Sequence, residues 1–206
     1  MYQPKAHKRD DKQFIFNFIK HHPFAVFVIS GSDLLATHIP ILIEGNQENF
    51  RLYGHVANHN EMLHFLQNGK EALCIFHGPH TYVSSSIYTK PDISTWDYSA
   101  VHVNAKITLQ NDDELAKFLE RLIYTFEKDQ EQPLYKEQIP KEIWEQDFPN
   151  ITGFWLEPFR IQGIHKWHGN FEKEERHQIA QKLSEKNLCP KFSTKEIIKN
   201  FYDSQD

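Results

Sequence analysis

Histidines, hydroxyls and aromatic rings gather between His38 and Tyr98, inside segments whose other residues read as strand. The stretches are Ala36-Thr37-His38-Ile39-Pro40, Gly54-His55-Val56-Ala57-Asn58-His59-Asn60 and Gly78-Pro79-His80-Thr81-Tyr82-Val83-Ser84-Ser85-Ser86, followed by Thr95-Trp96-Asp97-Tyr98. Packing alone does not call for these groups, because a buried polar atom must find a partner or cost stability. Their types suit a planar anionic small molecule. A strand running into a helix start at Gly54–Asn60 offers unpaired backbone N–H groups and the positive end of a helix dipole, which suits phosphate or carboxylate. Asn58, His59 and Asn60 add side-chain donors there, with His38 and His55 on the pocket wall. Ser84, Ser85 and Ser86 can bond a polar ligand edge. Trp96 and Tyr98 can flank a flat ring or anchor a dimer contact. Each stretch also has an ordinary structural explanation: a solvent-facing histidine, an Asn helix cap, an edge strand, a core tryptophan.

Other chemistries have weaker signatures. The chain has 13 histidines, and His55-x-x-x-His59, His77-x-x-His80 and His165-x-x-His168 occur, but no HExxH and no paired CxxC supports a metal site. There is no G-x-S-x-G elbow, and neither Cys74 nor Cys189 has a base nearby in sequence. No GxGxxG or Walker loop is present. No catalytic residue is identified.

Composition agrees with a globular protein of 206 residues and formal net charge -5. That charge disfavours broad binding to nucleic acid, where a basic footprint is expected. The start, Met1-Tyr2-Gln3-Pro4-Lys5, lacks an apolar signal core. The cleanest apolar run, Ala25 to Ile29, is far short of the roughly 20 residues that span a membrane. A cytoplasmic protein is expected.

The elements that must carry these residues are short. Asp10 or Asp11 caps a first helix with Phe14, Ile15, Phe18 and Ile19 on one face, ended by His22-Pro23. Phe24 to Ser30 reads as a buried strand, turning at Gly31-Ser32-Asp33 into a partner from Leu34 to Glu44. Phe50 to Ala57 is a third strand. Asn58 is expected to cap a helix carrying Met62, Leu63, Phe65 and Leu66, closed by Gly69. Glu71 to Phe76 and Thr81 to Ile87 read as two strands around a Gly78-Pro79 turn. Tyr98 to Leu109 alternates sharply, with Val101, Val103, Ala105 and Ile107 on one face. Asn111 opens an amphipathic helix bearing Leu115, Phe118, Leu119, Leu122, Ile123 and Phe126. A short helix near Lys141 to Gln146, a strand from Thr152 to Trp167 interrupted at Pro158, and charged helices near Lys173 to Lys186 and Thr194 to Tyr202 complete the chain. Six or seven short strands with single helices between them predict an α+β, mostly β protein: an antiparallel barrel with peripheral helices rather than a doubly wound sheet.

Taken together the stretches resemble the PaiB-like proteins, a family placed among the FMN-binding split barrels. The likeness is carried by Met1-Tyr2-x-Pro4, His22-Pro23-Phe24-Ala25, Ala36-Thr37-His38-Ile39-Pro40, Gly54-His55-Val56-Ala57, Phe76-His77-Gly78-Pro79-His80-x-Tyr82-Val83-Ser84, Thr95-Trp96-Asp97-Tyr98-x-x-Val101-His102-Val103 and Gly153-Phe154. The resemblance implies a split β-barrel domain over residues 1–167 with a helical C-terminal extension over 168–206 packed on it. It also implies a homodimer, FMN as cofactor, and a role as a negative transcriptional regulator of the kind linked to protease and sporulation genes. A flavin-dependent oxidoreductase, or a haem-handling protein using His38 or His165, is the alternative on the same fold. The sequence departs from the family pattern at Glu61 (usually Pro), Ile87 (usually Trp), Ser94 (usually Pro) and Asp97 (usually Asn). The usual Lys-Leu-Ser-Gln-Asn run is here Lys166-Trp167-His168-Gly169-Asn170, and the retained Lys166 joins the expected cofactor-binding set.

Overall fold

The computed structural model describes residues 1–186 and residue 199. Cys189 and the helix expected over 194–202, Lys199 apart, lie outside the described residues. Seven strands form an antiparallel sheet in the order β2-β1-β5-β6-β7-β4-β3. They are β1 (Phe24–Ser30), β2 (Leu34–Pro40), β3 (Leu42–Gly45), β4 (Phe50–Ala57), β5 (Glu71–Val83), β6 (Thr95–Leu109) and β7 (Ile151–Lys166). The helices are α1 (Lys12–His21), α2 (Asp112–Glu127), α3 (Lys141–Asp147) and α4 (Lys173–Lys186). No helix among the described residues is long and apolar enough to cross a membrane.

The chain divides into two compact units: residues 1–18, 77–102 and 162–206 in one, residues 19–76 and 103–161 in the other. The long strands β5, β6 and β7 each supply residues to both.

In the second unit, β1 alternates as expected, burying Ala25, Phe27 and Ile29. Its hairpin with β2 pairs Ser30 with Leu34 and Val26 with His38. The strand expected through Glu44 breaks at Ile41. There the Ile41 N–H donates to the Pro23 carbonyl at 2.7 Å. Ile41 and Leu42 are both buried, so alternation restarts in β3 and a single two-residue period fails across the break. Asn111 and Glu114 form a reciprocal capping box at the start of α2, which satisfies N–H groups left open by helix geometry. Leu115, Phe118 and Leu119 of α2 then pack with Leu42, Tyr53 and Trp155. Phe126 stays exposed, outside the face expected to hold it.

Four further expectations change. The helix after Asn58 is a five-residue 3-10 turn, Glu61–Phe65, capped by Asn60 rather than Asn58. Gly78 and Pro79 do not turn the chain; both are buried inside the continuous β5. Ser85–Ile87 is a 3-10 turn capped by Ser84, because short hydroxyl side chains bond the nearby backbone in competition with a sheet ladder. The Pro158 interruption is also absent: β7 runs through it.

In the first unit the N-terminal segment lies along β7. Lys8 bridges Ile164, Arg9 N–H donates to the Gly163 carbonyl at 3.0 Å, and His165 N–H donates to the His7 carbonyl at 2.8 Å. Gly163 is required there, since a Cβ on it would come within 2.1 Å of the Arg9 carbonyl oxygen. The apolar core of this unit joins Val83, Ile87 and Trp167 to Ile179, Ala180 and Leu183 of α4.

Candidate functional site

Alternation along β6 sorts two chemistries onto opposite faces. Trp96, Tyr98 and His102 point one way, exposed or half-buried; Asp97 and Ser99 point the other way and are buried.

On the first face, side chains from β5 and β6 make a continuous row. Tyr98 stacks on His77 with an interplanar angle of 5° at 6.5 Å. The His77 and His80 rings lie 4.9 Å apart. Trp96 Nε1 donates to His80 Nδ1 at 3.0 Å, and Tyr82 lies 6.1 Å from Trp96. Trp96 and Tyr82 are 51% and 50% exposed. Two large aromatic side chains thus stand half in solvent beside the histidines.

On the buried face, the Asp97 carboxylate accepts from His168 Nδ1, and His168 Nε2 meets the Tyr88 hydroxyl at 2.8 Å. Lys166 donates to the Trp96 carbonyl at 2.7 Å and to Thr95 Oγ1, leaving its Nζ 4.0 Å from Asp97 Oδ1. Asp97 Oδ1 has no hydrogen-bond partner among the described residues. Burial raises the Asp97 carboxyl above the ordinary carboxylate range, an effect partly offset by its bond to His168 and the charge of Lys166. Burial likewise raises the Tyr88 phenol to about 12, with a further push from Asp97. His168 sits at φ 54°, a left-handed conformation that costs a non-glycine residue about 1–2 kcal/mol and is tolerated where surrounding bonds enforce it. These groups, with His7, Asp92, Ile93, Asn170 and Phe171, line a pocket of 180 Å³. Deeper still, Ser99 Oγ accepts from Trp167 Nε1 at 2.7 Å and meets His165 Nδ1 at 2.8 Å. A larger cleft of 820 Å³ lies by Glu44 and α2, but its central carboxylate is already paired with Arg51 and Arg121.

The structure gathers some of the expected site residues and separates others. Trp96, Tyr98, Lys166 and the serines share the first unit. Ser84 caps its own turn and bonds Ser86, while Ser85 is held by Ser94. The second unit holds the rest. His38 is exposed, 6.0 Å from the exposed Phe24 ring. His55 lies against Phe118 at 5.4 Å. The Asn58 side chain donates to the Pro149 carbonyl at 2.8 Å and accepts from Thr152 at 2.6 Å; Asn60 is spent capping its turn, and His59 is exposed. His165, one of the two histidines considered for haem, is buried beside Ser99.

Tyr88, Ser99, His7 and His168 are not among the site residues that the sequence points to. For Ser99 and Asp97 a signal existed. Stepping back by twos from Val101 places both in the buried row of β6, where a polar side chain demands a partner. His7 and His168 carry no such local sign.

Residues 1–158, more than three-quarters of the chain, match the family described as "Putative FMN-binding domain". The chain belongs to that family. A relative is the protease synthase and sporulation protein PAI 2 of Bacillus subtilis (strain 168), 28% identical over 184 residues, 89% of this chain and 89% of that protein. Among solved structures, the chain is similar to the FAD and heme binding protein from Mycobacterium smegmatis, with TM-score 0.58, 12% identity, and coverage of 77% of this chain and 73% of that one. It is also similar to the flavocytochrome Anf3 from Azotobacter vinelandii, with TM-score 0.56, 12% identity, and coverage of 77% and 69%. At that identity the structural likenesses establish the fold, and the expected class holds: α+β, mostly β, a split barrel with peripheral helices.

Ile87 and Trp167 occupy the same core cluster, and Asp97 and His168 are bonded directly.

Burial lowers the basicity of three imidazoles, His7, His55 and His102. Each favours the neutral form in the folded protein, so the unfolded chain binds protons first as pH falls. Their contribution is complete above the unfolded value near 6.5 and is lost as pH falls toward the lower folded values. Urea unfolding at pH 7.5 and at pH 5.5 should therefore show a lower midpoint at pH 5.5. An equal or higher midpoint would contradict the burial of these rings.

Proposed function

We propose that this protein binds a flavin nucleotide, FMN or a close planar anionic relative, as a homodimer, and that it serves as a regulator in the manner suggested by the name of its Bacillus subtilis relative. The observation that carries the reading is the exposed row of Trp96, Tyr98, His77, His80 and Tyr82. Flat rings fixed by neighbours cost little entropy on binding and suit both an isoalloxazine face and a partner subunit. Lys166 supports the row from behind by holding the Trp96 carbonyl. The net charge of -5 favours action through a protein partner over direct DNA binding.

Purified protein is expected to quench flavin fluorescence on titration with FMN and to release calorimetric heat. Trp96→Ala should weaken binding about fivefold to tenfold, the scale of an aromatic contact worth roughly 1–1.5 kcal/mol. Sedimentation should give twice the chain mass. A protein that neither carries nor binds FMN would sink the cofactor reading, and tight sequence-specific DNA retardation at physiological salt would overturn the choice of a protein partner.

A further inference from the structure

The buried face of β6 carries chemistry that the flavin reading does not use. Three titratable groups stand in line: Asp97, His168 and Tyr88. Asp97 is fully buried and His168 is buried. Tyr88 has a second option, the Val83 carbonyl at 3.4 Å, but the contact with His168 Nε2 at 2.8 Å is the shorter and stronger one. The line opens on the 180 Å³ pocket, where the free oxygen of Asp97 faces Lys166 Nζ across 4.0 Å. An acceptor and a donor at that separation are bridged by one oxygen that both donates and accepts, which is a property of water and of an alcohol. The pocket fits a molecule of a few heavy atoms. Its other ionisable lining groups are His7 and Asp92.

We propose that this pocket binds a small hydroxyl-bearing ligand, with Asp97 Oδ1 accepting from the ligand O–H, Lys166 Nζ donating to the ligand oxygen, and His168 and Tyr88 as positioning residues for the carboxylate. In the resting arrangement the Asp97 carboxylate accepts from His168 Nδ1–H, and His168 Nε2 accepts from the Tyr88 hydroxyl. Binding makes hydrogen bonds only, and no covalent bond forms or breaks. The inference does not depend on flavin binding.

The order of the protons is directly measurable. In protein labelled with ¹⁵N-histidine, with the His168 signals assigned by their loss in His168→Gln, neutral His168 should carry its proton on Nδ1. Tyr88→Phe should shift the Nε2 signal and leave Nδ1 nearly unmoved. Trifluoroethanol, followed by its ¹⁹F signal, serves as the alcohol probe. Its line should broaden with the wild type and sharpen at least twofold with Asp97→Asn, a variant that keeps the side-chain shape. A proton on Nε2, or an Nε2 signal indifferent to Tyr88→Phe, would overturn the hydrogen-bond order that positions Asp97. A ¹⁹F line equally sharp with both proteins would overturn the alcohol site. Because no flavin enters either measurement, these outcomes are separate from those of the FMN titration.

Discussion

Replacing Trp167 with alanine is expected to cost about 3–5 kcal/mol of folding stability, the usual loss for a large aromatic removed from a core. Trp167 is completely buried and packs with Val83, Ile87, Ile179, Ala180 and Leu183. Its Nε1 also donates to Ser99 Oγ at 2.7 Å, inside a buried group that includes His165. Truncation therefore leaves both a cavity and a hydroxyl with one bond fewer. Trp167→Phe should recover much of the packing loss and none of the hydrogen bond. The neighbouring Ile87 gives a sharper comparison. If the rings at positions 87 and 167 substitute for one another, Ile87→Trp should overpack the cluster and Trp167→Leu should underpack it. The double exchange should then be less damaging than the sum of the two, by about 1 kcal/mol or more. Chemical denaturation of the four proteins measures this coupling. A Trp167→Ala midpoint close to wild type would mean the ring is not packed as described, and additive single effects would dissolve the pairing with Ile87.

Asp97→Ala is expected to be nearly as costly, about 3 kcal/mol. Removing the carboxylate leaves the buried His168 N–H without its acceptor and opens a void, and an unsatisfied buried donor alone costs about 1–3 kcal/mol. Here the carboxylate is shared by His168 Nδ1 and, at 4.0 Å, by Lys166. Lys166 keeps its bonds to Thr95 and the Trp96 carbonyl, so the larger loss falls on the strained His168. Asp97→Asn should cost much less. Burial disfavours the ionised carboxyl, so an amide of the same shape gives up an attraction but also escapes that desolvation. Thermal unfolding distinguishes the two variants. Equal losses would show that shape and charge do not separate at this position, whereas a stable Asp97→Ala would show that His168 does not need its partner.

Much of the sheet was legible from period and punctuation. The hairpin at Gly31–Asp33, the buried row of β1 and the inner face of β6 follow from residues two apart, because a strand sends alternate side chains to opposite faces. The capping of α2 follows from Asn111 and Glu114, three apart. Errors came where local signs compete. Gly78-Pro79 resembles a turn but runs straight through β5, and serines that could continue a strand cap a 3-10 turn instead. At Ile41 one hydrogen bond to the Pro23 carbonyl shifts the alternation, and nothing within a few residues announces it.

The sequence by itself determined a mostly β scaffold of the FMN-binding domain family and pointed to Trp96, Tyr98 and Lys166, but not to Tyr88, Ser99 or His7. It also marked Ile87, Asp97, Trp167 and His168 as out of pattern. Only the tertiary structure decided that Asp97 meets His168 and that Ile87 and Trp167 share one core cluster. The reason is separation along the chain. Asp97 lies 71 residues from His168, and Tyr88 lies 80 from it. Periodicity orders neighbours within a strand or helix, but which strands become neighbours is set by burial over the whole sheet, and that is where the site is assembled.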